Sequence, residues 1–470
     1  LEKNFINTCI ERFFMINNDI LNKWDRENLM HPSTHLAQHE RGETVNRIIT
    51  SGSGSYIFDR DGNKILDGFA GLYCVNVGYG RKEIAEAISK QASDLAYYHS
   101  YMGHSNEAAI TLSKMVLERA PKNMSKVYFG LSGSDANETN IKLLWYYNNI
   151  LGRPSKKKII SRHRGYHGSG LMTGSLTGLE LFHKKFDLPL ENVLHTQSPY
   201  YFRRENLDMD EEDFSKHCAA CLERLIDEEG AETIAAFIAE PILGTGGIVP
   251  PPKNYWKLVI PILKKNDILL ISDEVVTGFG RLGSMFGSDH YAMSADLITI
   301  AKGLTSAYAP LSGSIISEKI WKVLTQGTDE NGPIGHGWTY SAHPIGASAG
   351  VANLKLIDDL KLVENAKEVG KYFNRKLSEV FENHPNVGQV RGEGMIAALE
   401  FVQSKDKRKF FSPDKKIGPK VAETLLKNGV IGRAMPQGDI LGFAPPLSLS
   451  TQEADYIIDS LRTTLDTLFN

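Results

Sequence analysis

Between about residues 105 and 315, short apolar runs alternate with longer stretches whose apolar positions recur at helical spacing. The runs are Lys126 to Phe129, Lys158 to Ser161, Asn192 to Thr196, Ile234 to Ala239, Ile268 to Ser272 and Leu297 to Ala301. Short strands alternating with helical segments predict an α/β domain around a mostly parallel sheet. Upstream, Tyr56 to Asp67 places Asp61-Gly62 between two short apolar stretches, the signal of a hairpin. Beyond about residue 350 amphipathic helices mix with a few strands, Gly394 to Val402 among them. This predicts a second, smaller α+β lobe, with the N-terminal segment a candidate to join it.

Composition narrows the class. A chain of 470 residues can bury a large core in at least two lobes. With 41% hydrophobic and 23% charged residues it has the balance of a soluble globular protein. A net charge of −3, from 53 basic and 56 acidic residues, gives no electrostatic reason to expect nucleic acid or an anionic membrane as partner. No apolar run approaches the roughly 20 residues of a membrane span. Leu1 to Trp24 lacks the pattern of a secretory signal, and Met15 is a candidate natural start. Four cysteines, Cys9, Cys74, Cys218 and Cys221, argue against a disulfide scaffold and for a reducing compartment such as the cytoplasm. Cys218-Ala-Ala-Cys221 has metal spacing, yet it falls in a predicted helix, Phe214 to Glu229, with no answering pair. Lys156 to Lys158 and the cluster Lys405 to Lys409 read as solvated loop charges.

In open α/β sheets ligands bind beyond the carboxyl ends of the strands. Three apolar runs end directly in a polar group: Glu240 after Ala239, Asp273-Glu274 after Ser272, and Lys302-Gly303 after Ala301. If these strands are parallel neighbours, Glu240, Asp273 and Lys302 gather at one sheet edge. A carboxylate and a lysine there suit a pyridine-aldehyde cofactor. The carboxylate keeps the ring nitrogen protonated, and the lysine holds the aldehyde covalently and later acts as general base. On spacing alone, Asp273 as a helix cap and Lys302 as a surface lysine fit equally well.

Such a cofactor also needs a phosphate cradle. Val127 to Thr139 reads as strand, glycine turn, then helix, with Ala136, Leu143, Leu144 and Tyr147 on one helix face. Ser132-Gly133-Ser134 at that helix start offers free N–H groups and hydroxyls to an anion, or serves as an ordinary N-cap. The P-loop lysine is absent, and no GxGxxG follows a strand. In Arg164-Gly165-Tyr166-His167-Gly168, two glycines would let the backbone approach a flat ligand on which Tyr166 could stack. His163 and His167 are four apart, but the intervening glycine disfavours the helix a metal pair would need, so no metal is expected.

Together these residues resemble the class III (omega) aminotransferases of the amine, β-alanine or taurine–pyruvate type, from about Trp24 to Pro446. The most specific stretch is Leu270-Ile-Ser-Asp273-Glu274-Val275-Val276-Thr277-Gly278-Phe279-Gly280-Arg281, followed by Asp296-Leu-Ile-Thr-Ile-Ala-Lys302-Gly303-Leu304. The resemblance implies a pyridoxal 5'-phosphate enzyme of fold type I, aspartate aminotransferase-like. A large domain, residues 76–345, would hold a mostly parallel seven-stranded sheet. Residues 1–75 and 346–470 would form a smaller α+β domain.

The resemblance also implies roles. Lys302 holds the cofactor and shuttles the proton, Asp273 pairs with the ring nitrogen, and Tyr166 and Val275 pack on the two ring faces. Ser132, Gly133 and Ser134 hold the phosphate, and His167 and Glu240 order the site. Trp338 and Thr339, in Gly337-Trp338-Thr339-Tyr340, would reach the phosphate of a neighbouring subunit, implying a homodimer (or a tetramer built from it) with the active site at the interface. Tyr73, Tyr101 and Thr245 would line the substrate pocket, and Arg433 would bind a substrate carboxylate by bidentate pairing. The implied reaction is a two-step transamination by way of pyridoxamine phosphate, from an amine or ω-amino acid to a keto acid, pyruvate. Relatives with the same motifs include aminomutases, racemases and decarboxylating transaminases.

Overall fold

The computed structural model describes residues 17–44, 46–406 and 408–469. The readings made for Cys9 and Met15 lie outside them. The first ordered strands are β1 (Ile49–Ser53), β2 (Tyr56–Asp59) and β3 (Lys64–Asp67). β2 and β3 form the predicted antiparallel hairpin, with Gly62 at φ 85° in its turn. That conformation is one that glycine adopts without a Cβ penalty.

The central sheet holds seven strands: β4 (Met124–Gly130), β5 (Lys158–Arg162), β6 (Val193–Thr196), β7 (Ile234–Ala239), β8 (Leu269–Asp273), β9 (Leu297–Ile300) and β10 (Ser312–Ser317). Their spatial order is β4-β10-β9-β8-β7-β5-β6. β10 alone runs against its neighbours, antiparallel to both β4 and β9. All six predicted runs are strands. β10 was not foreseen because serines interrupt its sequence, Ser-Gly-Ser-Ile-Ile-Ser. All three serines are buried and the first two are satisfied: Ser312 Oγ donates to the Asp135 carboxylate at 2.8 Å, and Ser314 Oγ donates to the Ala136 carbonyl at 3.0 Å, while the Ser317 hydroxyl has no partner. A nearby helix start thus lets polar residues occupy a core strand.

Along each central strand, side chains alternate between two hydrophobic clusters. Ala236, Ile238, Leu269, Ile271 and Leu297 face the helix Gly133–Ile150 through Ile141, Leu144 and Tyr147. Phe237, Leu270, Ile298 and Ile300 face the helices Glu211–Glu229 and Tyr255–Lys265 through Leu222, Val259 and Leu263. Burying each such large side chain stabilises the fold by roughly 1.5–3 kcal/mol. Cys218 belongs to this packing as a buried residue of the helix Glu211–Glu229, while Cys221 is half-buried, and both are free thiols.

β7, β8 and β9 are adjacent and parallel, with Ala239 opposite Ser272 and Asp273 opposite Thr299. Their carboxyl ends therefore lie side by side. This is why residues 240, 273 and 302, far apart in sequence, meet.

Two smaller sheets complete the fold. One has the order β1-β2-β3-β13, where β13 (Val430–Ile431) runs parallel to β3 and ties the N-terminal hairpin to the C-terminal part of the chain. The other contains β11 (Val387–Glu393), β12 (Ile396–Phe401), β14 (Arg433–Ala434) and β15 (Ile440–Phe443), in the order β11-β12-β15-β14. The predicted strand at Gly394 to Val402 is β12, with Gly394 in the preceding turn at φ 56°.

One charge reading is corrected. Lys156 to Lys158 are not solvated loop residues. Lys156 is 5% exposed and bonds the Ala231 carbonyl at 3.4 Å. Lys157 Nζ donates to the Trp145 carbonyl, and Lys158 begins β5 and pairs with Glu229 at 2.7 Å. Helix carbonyls and a carboxylate draw these amines inward while the stems cover apolar surface. No described helix is long and apolar enough to cross a membrane.

Candidate active site

A cleft of about 650 Å³ opens at the carboxyl ends of the central strands. It is lined by Ser132, Gly133, Ser134, Tyr166, His167, Thr245, Asp273, Val275, Lys302 and Arg433 among the predicted site residues. Lys302 follows β9 directly, with its backbone at φ 41°. A left-handed conformation costs a non-glycine residue on the order of 1 kcal/mol and persists only where the surroundings hold it. The amine sits 5.3 Å from the centre of the Tyr73 ring. Burial pulls the Lys302 amine below the usual lysine range, and Arg433 adds to that effect, while Cys74 and Asp273 oppose it.

Asp273 ends β8 and is 3% exposed. Its Oδ2 accepts from Asn137 Nδ2 at 2.9 Å and from His167 Nδ1 at 2.8 Å. Its Oδ1 accepts only the Val275 N–H, at 3.2 Å. One oxygen is thus held by two side chains, and the other retains acceptor capacity toward the cleft. Asn137 is in turn oriented from behind. Thr299 Oγ1 donates to Asn137 Oδ1 at 2.6 Å, and Asn140 Nδ2 donates to Thr299 Oγ1 at 2.8 Å. The chain of bonds links the helix Gly133–Ile150 to β9 and β8, so the carboxylate is positioned by three elements at once. Asn137 lies within the stretch Val127 to Thr139, which by itself assigns it no role. Its signal was helical spacing, since position 137 falls one turn after Gly133 and faces the sheet.

Ser132 is the N-cap of the helix Gly133–Ile150. A capping box joins its side chain to the Asp135 N–H, and the Asp135 carboxylate to the Ser132 N–H. The ordinary-cap reading and the anion-cradle reading are therefore compatible. The cap satisfies one N–H group, and the remaining groups of the first turn open on the cleft. A Cβ at Gly133 would stand 3.0 Å from Val275 Cγ2, so the absence of a side chain lets this turn pack closely against the segment after β8. The glycines around Tyr166 serve protein neighbours. Gly168, at φ 138°, makes room for Ser134 Oγ, which a Cβ there would meet at 2.6 Å.

Glu240 stands behind the cleft wall. Its Oε1 accepts the Tyr166 N–H at 2.8 Å and its Oε2 accepts the Gly244 N–H at 2.5 Å. It so holds the Tyr166 loop and the Thr245 loop together. Burial pushes its carboxyl above the usual range, opposed by His167 and Arg162. Glu274, beside Asp273, points away from the cleft and binds Thr277 and the N–H groups of Gly287 and Ser288. His163 is exposed and stacks on His195 instead of pairing with His167.

Tyr73 is buried at 1% exposure with an unpartnered hydroxyl, packed against Phe69. Tyr73, Tyr101, Trp338 and Thr339 do not line the cleft of their own chain. Tyr101 packs against Gly337, and Trp338 Nε1 donates to Thr139 Oγ1 at 3.2 Å. Lining residues without a sequence assignment include Pro32, Ser33, Leu72, Cys74 and Phe182. They come from separate short segments whose convergence no local pattern encodes.

The donor set fits pyridoxal phosphate: a buried amine of lowered basicity, an oriented carboxylate with a free oxygen, and a helix N-terminus, all on one cleft.

The model of the aminotransferase class-III family matches residues 37–465. The chain is 58% identical over 436 residues to a protein from Halomonas elongata named diaminobutyrate–2-oxoglutarate transaminase, covering 92% of this chain and 93% of that one. It is 41% identical to the putrescine–pyruvate aminotransferase of Pseudomonas aeruginosa, covering 94% of each. Among solved structures it superposes on a transaminase described under directed evolution by ancestral reconstruction, with a TM-score of 0.95, 60% identity, and 96% and 99% of the two chains covered. The omega transaminase of Pseudomonas jessenii in complex with PMP matches with a TM-score of 0.93 at 38% identity, covering 95% of this chain and 98% of that one. The chain belongs to the class III aminotransferases, pyridoxal phosphate enzymes of fold type I.

Proposed function

We propose that this aminotransferase takes the amino group of a primary amine or ω-amino acid and delivers it to a monocarboxylic keto acid, pyruvate, in two half-reactions on one cleft. Pyridoxal phosphate, when bound, supplies the electron sink that lets a substrate C–H bond ionise. Lys302 Nζ would hold the cofactor and, as a free amine, would take the proton from the donor carbon. Its burial favours the free base that this task needs. Asp273 would pair with the ring nitrogen, and Asn137 and His167 keep the carboxylate in place. Ser132, Gly133 and Ser134 would take the phosphate, and Tyr166 and Val275 would bracket the ring.

The observation that carries the acceptor reading is the charge of the lining. Apart from Lys302, Arg433 is the one lysine or arginine on the cleft among the described residues, enough for one carboxylate. The 58% identity to the Halomonas protein favours a second reading, with 2-oxoglutarate as acceptor. Tyr73, Thr245 and, from the partner, a residue equivalent to Tyr101 would shape the amine side.

The reading includes a homodimer. Met102 is 96% exposed beside Tyr101, and the Trp338-Thr339 segment lies off its own cleft, as an interface between two copies would require. The free thiols Cys74, Cys218 and Cys221 are consistent with a cytoplasmic setting.

The test is the visible spectrum of the holoenzyme with a panel of amines and no keto acid, followed by either keto acid. Bleaching by an amine and recovery with pyruvate supports the proposal. Recovery with 2-oxoglutarate alone replaces it with the second reading. A spectrum that never responds to any amine removes the transamination of amines altogether.

A further inference from the structure

Asp25, His31 and His39 form a cluster that the cofactor site does not use. Asp25 lies near the end of the helix Asn18–Asn28, His31 in the turn that follows, and His39 in the short helix Leu36–Glu40. His31 Nε2 is 3.0 Å from both carboxylate oxygens of Asp25, and His39 Nε2 is 3.2 Å from Oδ2. One donor atom from each of the three residues lies within 4.8 Å of the others. The imidazole rings meet edge to face at 4.6 Å.

Two details distinguish this from an ordinary ion pair. His39 is 9% exposed, and its Nε2 is buried without a hydrogen-bond partner although a carboxylate oxygen lies beside it. Its other nitrogen, Nδ1, is 3.1 Å from Thr44 Oγ1. With the Nδ1–H donated to Thr44, the Nε2 lone pair faces Asp25, an arrangement that asks for a cation between them. Asn46 Nδ2 also donates to Asp25 Oδ2 at 3.0 Å, steadying the carboxylate from outside. A ligating histidine whose far nitrogen is tied, and a ligating carboxylate that is itself bonded, are the outer-shell pattern of metal sites.

We propose that Asp25, His31 and His39 bind a divalent transition-metal ion, Zn²⁺, with a water in the fourth position. Two imidazoles and one carboxylate are a zinc donor set, and neighbouring ligands on a tetrahedral zinc stand about 3.3 Å apart. The present separations of 3.0 and 3.2 Å reach that value with small side-chain shifts. The ion would fasten the helix Asn18–Asn28 to the segment after it. Pro32 and Ser33, directly following His31, line the active-site cleft, so the site would brace one lip of that cleft.

The test uses the full-length holoenzyme, stripped with a chelator and titrated with Zn²⁺ alone against a chromophoric competitor. One tightly bound zinc per chain is expected. His39→Gln and Asp25→Asn should each lose at least about tenfold in affinity, and Thr44→Val should lose roughly tenfold through the outer shell. Protection of the segment 29–44 from limited proteolysis should appear with zinc in the wild type and not in His39→Gln. His217 and Cys221, 3.6 Å apart on an exposed helix face, could take zinc weakly, and subtracting the His39→Gln titration removes that contribution. His31→Gln provides a second variant from the more exposed side, and cofactor content checks the fold of each. Wild-type binding no tighter than that of His39→Gln and His31→Gln overturns the proposal and leaves the trio as a hydrogen-bonded clasp.

Discussion

The floor and the mouth of the cleft are built by different means. The floor is the ends of β8 and β9 and the start of the helix Gly133–Ile150, where a sheet register and a capping box set every position. Asp273 there accepts three hydrogen bonds and is almost fully buried. The mouth is assembled from Pro32-Ser33, Leu72 and Cys74, Phe182, Thr245 and Arg433, five stretches with no shared sheet. Leu72 is 46% exposed, and Ala70 and Tyr73 hold left-handed backbone conformations. The lesson is a division of labour. The central sheet and a capped helix hold the groups at the floor, and short segments from separate parts of the chain carry those at the mouth.

If that division is right, changes at the floor should remove rate, and changes at the mouth should redistribute it among substrates. The largest effect should come from Lys302→Ala. Turnover should fall by about 10⁴-fold or more, the upper range of a positioned general base, measured in single-turnover bleaching with an amine. A loss under tenfold would break the assignment of the floor. Next, Asp273→Asn preserves shape and the Val275 contact but removes the charge that pairs with a protonated ring nitrogen. Losing a charge-assisted hydrogen bond costs about 1.5–3 kcal/mol, so a slowing of roughly 10- to 100-fold is expected in both half-reactions. An effect confined to one half-reaction would contradict a cofactor role.

Arg433→Ala is the matching test of the mouth. Apparent KM for pyruvate should rise about tenfold, while the half-reaction with an uncharged-tail amine keeps its rate. Equal losses in both would move Arg433 from selection to the floor. The smallest effect sharpens the electrostatics. Because burial places the Lys302 amine below its usual 10.5, its free-base fraction rises at lower pH than for a surface lysine. Capture of pyridoxal phosphate by apoenzyme should therefore reach its plateau below that pH. The linkage has a definite sign: between the lowered folded value and 10.5 the unfolded chain binds the extra proton, so apoenzyme stability contributed by Lys302 rises with pH through that window. Thermal unfolding of apoenzyme across pH, compared with Lys302→Met, reads that slope.

Much of the floor was legible because it is local. A strand of four to six apolar residues followed by an acid or a lysine is a contiguous signal, and parallel neighbours bring such ends together. β10 escaped notice since its serines look like loop residues until the Asp135 side chain and the Ala136 carbonyl receive Ser312 and Ser314. The buried Lys156 was misjudged for a related reason. Its partner carbonyl at Ala231 is 75 residues away and leaves no trace beside it in sequence.

The sequence by itself determined the α/β pattern, the order of the polar strand ends and the identities of Asp273 and Lys302, because each depends on spacing along a few residues. The tertiary structure alone decided that Asn137 and His167 share one oxygen of Asp273, that Glu240 braces two loops, and that Tyr73 lies over the lysine. It also decided that His39 turns a buried lone nitrogen toward Asp25. Those outcomes are set by which distant segments are packed together, and packing is a property of the whole core, not of any window of the chain.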